Sequence, residues 1–455
     1  MTREFKELVE RERGLQHSLS TGQLSMIAIG GAMGTGLFLG SAFAIGFAGP
    51  SVLVSYAIGG VVSLLLMGCL AEMSVGHPLS GAFGAYAEFY IGPLAGFLVR
   101  YAYWSCVVLA VGTEVSAIAV YMQYWFPDVP GWYWIIGFSA GLIAINAMSV
   151  NAFGAVEYVF SMFKLAAIAA FLLLGAYFVS TQPESSGIGL RNYTAHGGFF
   201  PHGAWGMWVA VIVAIFSYLA VEMIAVAAGE AKDPQRAITR AFRATVFRLV
   251  FFYLLTLALV LAVVPWNEAG TAGSPFVKVM AATQVPFAAG IMNLVILIAA
   301  LSAMNSQLYI TTRMMFSLSR AGYAPRRFGV VNSRGVPLAA LLISSVGIAL
   351  AVAFNVAAPD ASFALMISVS MFGALFTWLM IFVTHLFFRR RHPERTAFRM
   401  WGYPYTSLLG ALAIVAILIT TAFTAEFRMT LVYGVPFLAA LTIAYCVRFR
   451  LKPAV

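Results

Sequence analysis

The chain has 455 residues, of which 61% are hydrophobic and only 10% charged, and its formal net charge is +10. Soluble globular proteins carry about 25% charged residues, so this composition excludes a soluble protein and indicates one that crosses a membrane many times. The three cysteines and six histidines lack metal-ligand spacing, and we expect neither a metal nor a cofactor.

About twelve apolar runs have the length of a membrane-spanning helix. They lie near residues 24–48, 52–75, 94–125, 132–148, 153–179, 205–228, 246–264, 287–319, 338–354, 363–388, 407–423 and 430–447. No long polar segment separates them, so we predict an all-α polytopic membrane protein. Its predicted parts are an N-terminal arm (1–23), a core of ten spans (24–388), a loop (389–406) and two further spans with the C-terminus (407–455).

The basic residues are distributed by side of the membrane. If the N-terminus is cytoplasmic, only Arg191, Lys278 and Arg428 of the 27 lysines and arginines fall in outer loops, and Lys164 and Arg313 lie within spans. The positive-inside rule therefore predicts that both termini are cytoplasmic. The membrane topology explains the positive net charge. We expect no nucleic-acid partner, because the sequence shows no basic face with stacking aromatic residues.

The segments between spans differ in character. Residues 77–92 are too polar and too rich in glycine to cross, and we expect them at the cytoplasmic surface. The outer segments 181–204 and 265–284 contain the clusters of Gly, Pro, Asn or Ser that are typical of loops.

The first run contains a glycine-rich segment, residues 30–36 (GGAMGTG). Each glycine costs about 1 kcal/mol of helix propensity relative to alanine, and lipid cannot satisfy freed backbone groups. We therefore predict a break whose exposed amides, such as those of Gly34, Thr35 and Gly36, suit a carboxylate. A GxxxG packing face is an alternative. A phosphate loop is excluded, because no Lys-Ser/Thr follows and no strand precedes the segment.

The sixth run contains small and polar residues from Ser217 to Glu222, which predict a second break. Interrupted helices at matching positions of two five-span halves are typical of an inverted-repeat transporter. Carbonyl groups released by the second break can accept hydrogen bonds from an ammonium group. Together, the two breaks predict a site for a zwitterion, an α-amino acid.

Four ionisable residues lie well inside spans, where each costs at least about 2.5–3.5 kcal/mol unless it faces a cavity or a partner. Glu222 can carry a proton during transport, or it can hold the break open by binding freed amides. Lys164 can alternate between charged and neutral forms, or it can be ion-paired or snorkelling. Glu114 can contact the polar end of a substrate or pair with a helix hydroxyl.

The fourth, Glu157, lies near the predicted cytoplasmic start of its span, and we interpret it as part of a structural ion pair. Glu72 and Arg313 lie near the inner ends of their spans, where snorkelling towards the surface explains a charged side chain.

Several motifs resemble bacterial amino-acid permeases, specifically the amino acid transporter family of the amino acid–polyamine–organocation superfamily. They are GLQH (14–17), IAIGGAMGTGLFLGS (27–41), AGPS (48–51), AEMS (71–74), AAGEAKDP (227–234), AGSPFV (272–277) and LSAMNS (301–306). The resemblance runs from about Gly14 to the C-terminus. It implies two inverted five-helix repeats plus two extra helices, working by alternating access.

The resemblance also implies roles for individual residues. The first break would bind the substrate carboxylate and the second the amine, with Phe216 as an aromatic gate. The substrate-binding residues would be Ala32, Met33, Gly34, Thr35, Gly36, Glu114, Phe216, Ser217, Leu219 and Ala220. Lys164 and Glu222 look like proton-coupling residues, and Ser302 and Ser306 lie where relatives place hydroxyls near an ion site. Many relatives have glycines where Leu219 and Ala220 stand, which leaves the pocket shape open.

The function expected from the sequence is import of an amino acid, with a neutral side chain, by proton symport across the bacterial inner membrane. The alternative is an exchanger of the same fold that swaps an amino acid for an amine or a metabolite. We do not expect an enzyme, because no nucleophile–base pair or metal cluster lies at a membrane face. A channel is disfavoured, because the sequence has no charge-ring pattern.

Overall fold

The computed structural model describes residues 34–77, 82–148, 150–183, 186–223, 225, 250–271, 273–391 and 398–450. Regular structure in these ranges is helical throughout. Nine helical stretches among the described residues are long and apolar enough to cross a membrane. Two of them, Gly40–Gly76 and Leu338–Ala357, contain two α-helices each, and Gly203–Tyr218 and Val250–Val263 are shorter apolar helices. Each predicted span contains at least one helix within its described residues, and the prediction of an all-α polytopic membrane protein is confirmed.

The helices are numbered here in chain order. They are α1 (Thr35–Phe38), α2 (Gly40–Ala48), α3 (Val52–Gly76), α4 (Ala82–Tyr90), α5 (Pro93–Gln123), α6 (Gly131–Met148), α7 (Val150–Thr181), α8 (Gly203–Tyr218), α9 (Val250–Val263), α10 (Trp266–Ala269), α11 (Pro275–Ala282), α12 (Ala288–Arg320), α13 (Leu338–Ser344), α14 (Val346–Ala357), α15 (Ser362–Arg391), α16 (Tyr405–Phe423) and α17 (Met429–Tyr445).

The long helix α5 lies at the centre of the bundle and packs against α12 and α15. In the most apolar stretch of 18 residues of α5, 83% of the residues are buried. In the corresponding stretch of the last span, which includes α17, 11% are buried. Large apolar side chains such as Leu173, Leu412 and Phe423 are exposed on outer helices. Such surfaces are suited to the hydrocarbon of a bilayer, where they need no protein cover.

The first span is interrupted repeatedly. Helix α1 has only four residues and ends where Leu39 adopts φ −116° and ψ −42°. Helix α2 ends at Gly49, whose φ of +60° lies in the left-handed region. A Cβ atom at this position would also collide with the ring of Pro201. Only glycine therefore allows the tight connection from α2 to α3.

Helix α8 packs against both α2 and α3, so the first and sixth spans are direct neighbours. Helix α7 packs against α12. Helix α4 is too short to cross and lies against α5 and α15, where Glu88 accepts a hydrogen bond of 2.6 Å from the buried Arg100. This agrees with the prediction that residues 77–92 do not span.

Three expectations from the sequence need correction. The segment 265–284 contains α10 and α11, because Pro275 in the first turn of α11 favours helix initiation. Helix α15 continues to Arg391, which lies inside the predicted loop 389–406. Neither Glu72 nor Arg313 snorkels, since their side chains are buried within the bundle.

The partners of these two residues explain their burial. Glu72 accepts hydrogen bonds from Arg389, from His385 and from the backbone amide of Met400, and it thereby joins α3 to α15 and to the segment before α16. The guanidinium of Arg313 lies 3.7 Å from the ring centroid of Tyr309, a cation–π contact within α12.

Candidate functional site

The two predicted breaks meet. A Cβ atom on Gly36 would lie 2.8 Å from the Cα atom of Ser217 and 3.2 Å from the ring of Phe216. The backbones of the first and sixth spans can approach this closely only because residue 36 is glycine. The structure thus brings together Thr35 and Gly36 with Phe216 and Ser217, as the sequence analysis predicts. Ala32 and Met33 lie outside the described residues.

The sixth span breaks after Tyr218. Leu219 is extended, with φ −56° and ψ 154°, and Ala220 has a φ of +79°. A left-handed conformation costs a residue with a Cβ atom about 1–2 kcal/mol. Glu222 stabilises the strained turn, because its Oε1 accepts a hydrogen bond of 3.2 Å from the amide of Ala220 and one of 3.0 Å from the hydroxyl of Tyr103.

The carbonyl groups at the second break already have partners. The Ser217 carbonyl accepts a hydrogen bond of 2.9 Å from Tyr253, and the Phe216 carbonyl accepts one of 3.2 Å from the amide of Leu219. The hydroxyls of Tyr56 and Ser217 are 2.8 Å apart. A carbonyl oxygen has two lone pairs, so the Phe216 and Ser217 oxygens each retain one for an ammonium group.

Glu114 lies on the amide that the sequence analysis assigns to the substrate carboxylate. The Thr35 N–H donates to Oε2 of Glu114 over 3.2 Å, and Gln307 donates to Oε1 over 3.3 Å. A Cβ atom on Gly34 would lie 2.8 Å from the Cβ atom of Ala303, so glycine is needed here as well. Glu114 thus binds the backbone of the first break, and contact with the polar end of a substrate and pairing with a helix hydroxyl both stay predictions for it. The Thr35 amide, which was expected to be free for the substrate carboxylate, therefore has Glu114 as its partner.

Lys164 is fully buried in α7. It interacts electrostatically with Glu157 on its own helix and with Glu114 on α5. Because Glu114 also binds Thr35, Lys164 is linked to the first break through a single side chain. The lysine is therefore part of the candidate site and does not extend to the membrane surface.

Glu157 is also fully buried, and three neutral groups hold it. Its Oε1 accepts hydrogen bonds from Ser302 over 2.5 Å and from Ser161 over 3.1 Å, and its Oε2 accepts one from Asn305 over 3.2 Å. Ser302 therefore belongs to the same polar cluster as Lys164, as the resemblance implies. The amide of Asn146 on α6 extends this cluster by donating to Asn305 over 2.8 Å.

The remaining predicted residues are less closely connected. Ser306 is buried four residues after Ser302 on α12, and its hydroxyl has no hydrogen-bond partner among the described residues. Glu222 contacts Tyr103, and Trp378 lies beside it, so it belongs to a different cluster from Lys164. The structure does not bring the two predicted proton-coupling residues together.

The sequence analysis did not single out Asn146, Asn305 or Gln307. A signal was available, because amide side chains within apolar spans are rare and need partners. The tyrosines at the second break gave no comparable signal, since tyrosine is common in apolar runs. Among the described residues no group of three or more His, Cys, Asp or Glu side chains could hold a metal.

Comparison with known proteins identifies the fold family. The sequence profile described as amino acid permease matches residues 23–455. The chain belongs to the amino acid permease family. The resemblance drawn from the motifs is thereby confirmed, and the chain is a multi-pass membrane protein of a transporter family.

Individual relatives of this permease carry different names. It is 39% identical over 424 residues to a gamma-aminobutyric acid permease of Bacillus subtilis, covering 92% of this chain and 90% of the relative. It is 36% identical to the aromatic amino acid transport protein AroP of Salmonella typhimurium, covering 90% of each chain. The Bacillus subtilis amino acid permease YtnA is 35% identical, covering 99% of this chain and 98% of the relative.

Proposed function

We propose that this permease imports a neutral amino acid by proton symport, with alternating access to a site between its two broken spans. The observation that supports the proposal most is the close approach of Gly36 to Ser217, which joins the two breaks. Broken helices that meet inside the bundle supply both backbone donors and backbone acceptors, which is what a zwitterion needs.

The proposed site divides the substrate between the two breaks. Its carboxylate binds the backbone of the first break, which comprises Ala32, Met33, Gly34, Thr35 and Gly36. Its ammonium group binds the free lone pairs of the Phe216 and Ser217 carbonyls. Binding at Thr35 requires that the carboxylate of Glu114 moves off the amide, because two carboxylates cannot share one N–H donor.

The proposed side-chain pocket is apolar. Phe216, Leu219 and Ala220 are the residues beside the second break, and none of them carries a charge or a strong hydrogen-bonding group. This composition favours a neutral side chain. Relatives with 36% and 39% identity are named for aromatic amino acids and for gamma-aminobutyric acid, so identity alone does not select the substrate.

Proton coupling is assigned to Lys164 and Glu222 in this proposal. A buried lysine can exist as a neutral amine or as an ammonium ion, and its positive charge can replace a coupling cation near Ser302 and Ser306. Glu222 acts at the second break, where protonation would weaken its hold on the Ala220 amide. We further propose a location in the bacterial inner membrane with both termini in the cytoplasm, which the positive-inside distribution supports.

The substrate and the mode of transport are tested together. Purified permease is screened by thermal shift against the common amino acids, D-alanine and gamma-aminobutyric acid. The stabilising compounds are then measured in proteoliposomes, with and without an inward proton gradient. Net uptake that requires the gradient supports symport. Counterflow with no net uptake under the gradient favours the exchanger, and absence of any amino acid transport contradicts the proposal.

A further inference from the structure

Buried carboxylates in this permease differ in the groups that hold them. Glu72 is bound by Arg389, by His385 and by a backbone amide. An arginine and an amide can only donate, so a proton on Glu72 would face groups that cannot accept a hydrogen bond from it. Such a carboxylate is fixed in its charged form and has a structural role.

Glu157 is held in a different way. Among the described residues, its oxygens accept hydrogen bonds from neutral donors that include the hydroxyls of Ser302 and Ser161 and the amide of Asn305. A hydroxyl can donate a hydrogen bond or accept one by rotating its O–H bond. The surroundings of Glu157 can therefore satisfy either a carboxylate or a carboxylic acid without moving any heavy atom.

The position of Glu157 relative to Lys164 is also favourable. Seven residues separate them on α7, which corresponds to almost two full turns, so both side chains project from the same face of the helix. Side chains on a helix lean towards its N-terminus, which directs the long lysine side chain towards Glu157. The two groups interact electrostatically.

The elements packed around Glu157 present neutral groups to it. Helix α12 contributes Ser302 and Asn305, and α6 contributes Asn146 through its hydrogen bond to Asn305. Lys164 is a titratable group that interacts with Glu157, and it also interacts electrostatically with Glu114 on α5. Proton transfer within the Lys164–Glu157 pair leaves the net charge of the pair unchanged. This matters in a bundle where isolated charges are costly.

We propose that Glu157 accepts the transported proton from Lys164 and releases it towards the cytoplasm. In this step an N–H bond of the Lys164 ammonium breaks and an O–H bond forms on Glu157, which leaves a neutral amine and a neutral acid. The acid then loses its proton to water on the cytoplasmic side, and the amine takes its next proton from the outside. With the proposed topology, Glu157 lies about 10 Å nearer the cytoplasm than Lys164. The inference rests on the proposed proton symport.

The test compares Glu157→Gln with the unchanged permease in proteoliposomes. The probe is whichever of L-alanine, L-phenylalanine, L-histidine and gamma-aminobutyric acid gives the highest uptake by the unchanged permease. Glutamine retains an oxygen for Ser302 and Ser161 but cannot exchange a proton. We expect loss of accumulation driven by a proton gradient, loss of the dependence of uptake on external pH, and retention of counterflow. Glu157→Asp, which restores an acid, is expected to recover the pH dependence.

The controls separate this role from a structural one. Glu426→Gln makes the same chemical change at an exposed position and is expected to change neither accumulation nor counterflow. Full accumulation by Glu157→Gln would overturn the proposal, as would equal loss of accumulation and counterflow with a lower unfolding temperature. If the glutamine variant does not fold, the absence of pH-dependent accumulation in a folded Glu157→Asp variant overturns it instead. Failure of the unchanged permease to accumulate any probe would contradict the proposed function itself.

Discussion

At the scale of single residues, Lys164 and Glu114 determine how the candidate site can work. Glu114 contacts the first break through Thr35 and interacts electrostatically with Lys164, so one side chain connects the proposed substrate site with the proposed coupling site. Both residues are buried. Charged groups in such surroundings interact strongly, and a change in one of them is felt by the other.

Replacing Lys164 by alanine is expected to abolish accumulation driven by a proton gradient while counterflow continues. The reason is that the variant lacks the amine that we propose as the proton carrier, whereas both breaks retain their backbone groups. The measurement is uptake into proteoliposomes at equal amounts of reconstituted protein. Full gradient-driven accumulation by Lys164→Ala would remove the lysine from the coupling mechanism.

Replacing Glu114 by glutamine is expected to lower the Kd for the transported amino acid by about tenfold, because a neutral amide competes less well than a carboxylate for the Thr35 N–H. The change is measured by calorimetric titration of the purified variant. The corresponding amine without a carboxylate serves as the matched ligand, and its Kd should not decrease. A weaker affinity for both ligands would show instead that Glu114 binds the ammonium group.

At the scale of elements, the two broken spans are formed by opposite means. The first break depends on glycines that permit close backbone contact, whereas the second contains an alanine in a left-handed conformation. The first is sensitive to any added side chain, and the second retains strain that glycine would relieve. These two properties give predictions of opposite sign.

Gly36→Ala is expected to destabilise the permease by about 1–3 kcal/mol, since the new Cβ atom would push α1 away from α8. The loss is measured as a lower midpoint of thermal unfolding in detergent. Gly40→Ala is the matched control on the same span, because its Cβ atom would lie 3.4 Å from Val213, an ordinary contact. Equal midpoints for the two variants would contradict the close approach of the breaks.

Ala220→Gly is expected to raise the unfolding midpoint. It relieves a left-handed conformation worth about 1–2 kcal/mol, partly offset by the extra freedom of glycine in the unfolded chain. Ala210→Gly, inside α8, is the control and should lower the midpoint, because glycine weakens a helix interior by about 1 kcal/mol. A lower midpoint for Ala220→Gly would argue against the strained turn.

The sequence predicted the spans and the two breaks well, because local composition determines them. The apolar runs marked the spans, and the glycine-rich segment and the polar stretch after Phe216 marked the two breaks. Contacts distant in sequence could not be predicted in the same way. The hydrogen bond from Thr35 to Glu114 joins residues 79 positions apart, and that from Tyr253 to Ser217 joins different spans. Such contacts depend on how each helix is rotated about its axis, which uniformly apolar runs do not specify.

At the scale of the whole molecule, helix packing that the sequence does not specify also changed the interpretation of Glu157. Its place near the start of a span suggested a structural ion pair. It does interact electrostatically with Lys164, and the packing of α7 against α12 adds hydrogen bonds from Ser302 and Asn305, which the sequence did not predict. Membership in the permease family was readable from motifs, because these are long and ordered along nearly the whole chain. The substrate could not be inferred from these motifs, since relatives of similar sequence identity are named for different substrates.

In the proposed mechanism the permease combines a zwitterion site between two broken spans with a proton-carrying cluster on α7 and α12. We propose that these two parts are coupled. The most direct test is accumulation of a labelled amino acid by proteoliposomes with an inward proton gradient. We predict an internal concentration of the amino acid above the external one. This accumulation should be abolished by a protonophore and absent in Lys164→Ala. Equilibration without accumulation in the unchanged permease would contradict it.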